Sequence, residues 1–235
     1  MFNLFKMYCY KMFRQKSFYV IWFIMLFIEF ISFLMTEGGF AEHSVDVGAF
    51  YILIVAIFPT IFFCADISSG FIKNYAGTVS HKGMIMAARA TTTFVQNLLT
   101  LAVVFTSLYA VTLFKGTGIG EISFILKYYV CMFLAGLACS FIGILITELT
   151  RNKVTSIILI IAIGSGLISK IASMISLMIK GSGFDIGGCT VTGRFPQLNL
   201  ATPTGGFYEV AIIAICYIII SSLVCHFSIK KRDVV

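Results

Sequence analysis

The 235-residue chain is 59% hydrophobic and only 11% charged, with a mean hydropathy of +1.00 and a net charge of +7. Soluble domains carry about 25% charged residues, so the main solvent of this chain must be lipid. The positive balance shows no basic face interleaved with stacking aromatics, which argues against nucleic acid as a partner and leaves lysine and arginine as topology signals.

Residues 1–16 are too polar to cross a bilayer. On a helical wheel Phe2, Phe5, Cys9, Met12 and Phe13 share one face, and Asn3, Lys6, Tyr10 and Arg14 the other. That pattern describes an amphipathic helix lying on a membrane surface, with its cations at anionic lipid headgroups. The alternative is a basic tail that only enforces topology.

From residue 17 onward the chain reads as one all-α membrane domain of six transmembrane helices, near 18–36, 48–65, 92–114, 122–147, 154–178 and 208–229. About 20 apolar residues cross the hydrocarbon core. The runs are continuous rather than alternating, so helices and not barrel strands are expected. The first run is longer than the apolar region of a signal peptide and is expected to stay.

Within these spans a few residues stand out. Glu29 in the first and Lys170 in the fifth are charges at membrane depth, costly and therefore candidates for a substrate path. They could pair, line a cavity, contact substrate, or reach to the outer interface. Pro59 in the second span frees a backbone carbonyl and is a candidate gating kink or a fixed bend. Gln96 and Asn97, early in the third span, suit bonds to neighbouring helices. Small residues mark packing faces: Ala135, Gly136, Cys139, Ser140 and Gly143 in the fourth span, and Ala162, Ser165, Gly166, Ser169 and Ser173 in the fifth.

Two polar stretches separate the spans. Residues 66–90 hold Asp66, Gly70, Lys73, Asn74, Ser80, His81, Lys82 and Arg89, with Ser68 or Ser69 able to cap a short helix starting near Gly70. Residues 179–207 are rich in Gly, Thr and Pro and include Phe184, Phe195, Leu198 and Leu200, which suit an outer-interface position.

Orientation follows from the cations. With the N-terminus inside, 12 of the 17 Lys and Arg residues fall on the cytoplasmic side and four outside, with Lys170 in a span. Both termini are therefore expected in the cytoplasm, with 66–90 inside and 179–207 outside.

Catalytic and metal-binding patterns are missing from the sequence. The three histidines, His43, His81 and His226, are far apart, and the seven cysteines contain no Cys-x-x-Cys pair. Most cysteines read as small buried hydrophobes, and Cys189 falls in the external stretch. No phosphate-binding loop of the G-x-x-x-x-G-K-[ST] type occurs.

The order of Asp66, Gly70-x-x-Lys73-Asn74, Ser80-His81-Lys82 and Arg89, between a second and a third span, resembles the permeases of type-2 ATP-binding-cassette (ABC) exporters. The resemblance covers essentially the whole chain, since those permeases combine an interfacial N-terminal helix, six spans and cytoplasmic termini. Members of that family often carry Glu where this chain has Asp66, Thr where it has Phe71, Arg where it has His81 and Lys where it has Arg89.

The resemblance implies that 66–90 contains a coupling helix docked on a separate ATPase subunit. ATP and Mg would be bound by that partner and no cofactor by this chain, which would not itself be an enzyme. It also implies a second permease copy or paralogue, a location in the bacterial cytoplasmic membrane, and short re-entrant or external helices within 179–207. The resemblance to small permeases for peptide toxins, bacteriocin immunity or bacitracin-type resistance favours an amphipathic or antimicrobial peptide as cargo. Lipid or drug export, a transporter driven without ATP, and an immunity protein are the alternatives.

Overall fold

A computed structural model describes residues 2–35, 39–70, 83–116, 118–178, 187–199 and 204–231. Those residues are helical with connecting turns and include no strand. The order is α1 (Phe2–Arg14), α2 (Lys16–Met35), α3 (Phe40–Ser68), α4 (Gly83–Lys115), α5 (Ile122–Thr150), α6 (Lys153–Gly164), α7 (Leu167–Met178), α8 (Val191–Arg194) and α9 (Thr204–Lys231), with short 3-10 turns at Gly187–Cys189 and Phe195–Gln197. Five helices are long and apolar enough to cross a membrane, or six if α6 and α7 count as one bent span.

α3 and α5 form the centre, and most of their length is buried. α2, α4 and α9 surround them and expose Phe23, Phe27, Leu34, Phe94, Leu113, Ile212 and Ile220 outward. In water such a surface would be untenable; in a bilayer it is the lipid face.

The central pair is close because one side of α5 is small. A Cβ on Gly143 would fall 2.5 Å from Thr60 Oγ1 and 3.2 Å from the Ala56 carbonyl, and one on Gly136 would fall 2.8 Å from the Tyr51 ring. The fourth-span glycines are thus seats for α3, as small-residue spacing in a lipid solvent favours.

Pro59 sits inside α3, which continues through it to Ser68. Proline removes the donor that would have bonded Val55 O. The Ser140 hydroxyl donates to that carbonyl at 3.4 Å, and Ser140 itself accepts from Asn97 Nδ2 at 3.2 Å. A relay from α4 through α5 to α3 therefore satisfies the group the proline freed. Nearby, Tyr51 OH donates to Asn97 O at 3.2 Å, and Trp22 Nε1 to Thr100 Oγ1 at 3.2 Å. Gln96 and Asn97 lie in this seam: Asn97 bonds the neighbouring helix through Ser140, as expected, whereas Gln96 accepts from Asn97 within its own helix.

The fifth span is not continuous. α6 and α7 meet at a 57° bend at Ser165–Gly166. Gly166 adopts φ +73°, and the Ser165 and Gly166 amides close onto Ile161 O at 2.9 Å and Ile163 O at 3.0 Å. A glycine in the left-handed region is the ordinary way to end a helix. α6 itself starts on Asn152, whose Oδ1 accepts the Val154 amide at 2.9 Å.

Residues 187–194 pack against α7. A Cβ on Gly187 would fall 2.5 Å from Ser169 O, and one on Gly193 2.3 Å from Gly187 O, so both glycines mark backbone packed directly on backbone. Phe195 and Leu198 are buried in the protein, against the expectation that they line an outer interface; Phe195 packs on Tyr128 at 5.4 Å between ring centres. Phe184 and Leu200 lie outside the described residues.

Candidate coupling site

The polar stretch at 66–90 is shorter as a break than its composition implies. Residues 66–68 are the last of α3 and residues 83–90 the first of α4. Asp66 and Arg89 there are buried against protein rather than left in a loop, whereas Ser68 is exposed. The Ser68 and Ser69 hydroxyls donate back to Ala65 O at 3.1 Å and Asp66 O at 3.3 Å, and the short helix expected to start near Gly70 lies outside the described residues. Gly70, at φ +68°, completes the end of α3.

Asp66 is fully buried and receives the Lys11 ammonium from α1, which also lies 5.3 Å from the centre of the Phe62 ring. Lys11 is held below its usual pKa range by burial and by Arg89 nearby, and the carboxylate against it favours the charged form. α1 meets the bundle through a stripe of Leu4, Tyr8 and Met12, all buried. That stripe is offset from the face of Phe5, Cys9, Met12 and Phe13 picked out by the wheel; Phe5 and Cys9 are half-buried and Phe13 exposed.

Arg89, two turns into α4, is fully buried and ion-paired with Glu148 near the end of α5. Its guanidinium carbon lies 5.0 Å from the centre of the Phe63 ring. The Tyr8 hydroxyl is within reach of the same guanidinium; burial pushes the Tyr8 phenol up and Arg89 pulls it down. Two ion pairs thus tie α1 to α3 and α4 to α5, and Tyr8 and Phe63 bridge them. Burying Asp66, Arg89 and Glu148 this far from water is costly, and each is matched by an opposite partner.

Both helices that flank residues 71–82 are therefore anchored in one electrostatic cluster. Of the residues singled out in the sequence, Asp66 and Arg89 are in the cluster and Gly70 is at its edge. Lys73, Asn74, Ser80, His81 and Lys82 lie outside the described residues. Lys11, Tyr8 and Glu148 belong to the cluster without having been picked out. Glu148 follows the predicted span end at 147 by one residue, where an acidic group passes for ordinary helix-end polarity.

The two intramembrane charges do not meet. Glu29 is 2% exposed and accepts the Ser107 hydroxyl from α4, whereas Lys170 is exposed on α7. Among the described residues the ion pairs are Lys11–Asp66, Arg89–Glu148 and Arg194–Glu209. No group of three or more His, Cys, Asp or Glu residues able to hold a metal occurs among them. The seven cysteines are free thiols, four of them buried and Cys189 exposed.

No protein-family model matches this chain, and no curated protein matches it.

Proposed function

We propose that this chain is the membrane permease of an ATP-driven exporter, working with a separate ABC ATPase subunit and a second permease copy or paralogue. The sequence order from Asp66 to Arg89 and the multi-pass helical architecture support the reading. The observation that carries it is the cluster of Lys11–Asp66 and Arg89–Glu148 on the helices that flank residues 71–82 in sequence. A displacement of that segment passes to α3 through Asp66 and to α4 through Arg89. The pairs then carry it on to the surface helix α1 and the central helix α5. A loop floating free of its neighbours would dissipate such a motion.

In this reading both termini and residues 71–82 face the cytoplasm, and the exported compound is an amphipathic or antimicrobial peptide entering from the bilayer. Co-purification of an ABC ATPase subunit with the tagged chain from its native membrane tests it: a stable complex supports the reading, and a chain that transports on an ion gradient alone contradicts it. Glu29 favours the second reading, a carrier driven without ATP, because a buried carboxylate in a span is the residue type that relays protons in such carriers.

A further inference from the structure

We infer that the α4–α5 groove is a binding site for the alkylammonium part of a membrane-partitioned cargo, with Glu29 as its counter-charge. The groove encloses about 430 Å³, within the range of small-molecule sites. Its wall is almost wholly apolar, formed by Leu98, Leu101, Phe105, Ile125, Leu126 and Tyr129 among others, and carries no charged side chain. Such a wall accepts an alkyl chain and gives no reason for selectivity by itself.

The selectivity comes from Glu29, which does not line the groove itself but is linked to it through Ser107 and Tyr129. Tyr129 lines the groove, bonds Ser44 Oγ at 3.2 Å, and is within electrostatic reach of Glu29. Ser107, whose hydroxyl donates to Glu29 Oε2, follows the groove residues Phe105 and Thr106 directly in α4. Glu29 Oε1 is buried with no hydrogen-bond partner, and Glu29 pairs with no cation among the described residues. A carboxylate removed from water without a countercharge is costly, so this site is complementary to a positive group arriving from the lipid.

Phe105 and Tyr129 meet edge to face at 5.2 Å, and Phe40 packs on both, at 5.5 Å and 6.0 Å. Phe105 and Tyr129 line the groove, and their faces would stabilise a cation there. An ammonium enters with its chain along the groove and its head moving past the rings to Glu29.

The assignment rests on the export reading for its biological sense, but its test needs no ATPase. The full chain in nanodiscs of zwitterionic lipid is titrated with dodecylammonium and, separately, with dodecanol. The wild type is expected to bind the amine at least roughly tenfold more tightly than the alcohol. Glu29→Gln is expected to abolish that preference while leaving alcohol binding unchanged, and Ala102→Trp, which fills the groove, to lose both ligands. Thermal unfolding of each variant confirms that it is folded. Equal affinity for amine and alcohol, or full amine preference in Glu29→Gln, overturns the site. A stoichiometric aminophospholipid that co-purifies with the wild type and not with Glu29→Gln overturns the cargo assignment. None of these results bears on whether an ATPase binds, so the export reading stands or falls separately.

Discussion

Arg89 and Glu148 join α4 to α5 by an ion pair in which the guanidinium is wholly buried and the carboxylate nearly so. Breaking one side leaves the other charged and uncompensated. Arg89→Met is expected to cost about 3–5 kcal/mol, whereas the paired change Arg89→Met with Glu148→Leu recovers most of that loss. Thermal unfolding of detergent-solubilised protein measures both. A double variant as unstable as the single one would show that the pair is not the main interaction at that position.

Lys11 and Asp66 attach α1 to the bundle, and the lysine is partly solvated while the acid is not. Asp66→Asn is therefore expected to loosen α1 with little change in the spans. Hydrogen exchange should speed up across Phe2–Arg14 and stay unchanged in the middle of α5. Uniform speeding across both helices would mean that the pair supports the whole bundle instead.

Gly143 against Thr60 tests the central packing. Gly143→Ala places a Cβ 2.5 Å from Thr60 Oγ1 and is expected to destabilise by about 1–3 kcal/mol. Thr60→Ala in the same chain removes that clash and restores part of the loss. A double-mutant cycle reads the coupling. Additive effects would place the two residues apart.

Gly166 holds the bend between α6 and α7 at φ +73°. Gly166→Ala forces a Cβ into the left-handed region, at a cost of about 1–2 kcal/mol. The variant is expected to unfold at lower temperature than the wild type. An unchanged or higher unfolding temperature would mean that the break is not needed and that α6 and α7 can run straight.

The spans were legible from hydropathy because lipid leaves only one way to satisfy a continuous apolar backbone. Their ends were not, since α3 and α4 carry polar residues such as Asp66 and Arg89 inside protein rather than in a loop. The break at Gly166 escaped because Ile157–Ile163 and the run from Leu167 are equally apolar, and hydropathy does not register a positive φ. The signal was Gly164-Ser165-Gly166, a cluster of small residues that also suits simple packing. The face of α1 was misplaced by one step because the helix has apolar residues on both sides of Met12. A wheel cannot tell the side that meets protein from the side that meets lipid.

Stimulation of ATP hydrolysis tests the coupling account most directly. An ABC ATPase subunit that co-purifies with this chain is reconstituted with it in nanodiscs, and its hydrolysis rate is compared for the wild type and Lys73→Glu. The account predicts that the wild-type chain raises the rate and that Lys73→Glu abolishes the increase while its thermal unfolding stays unchanged. Full stimulation by Lys73→Glu, or no complex with the wild type, would contradict it.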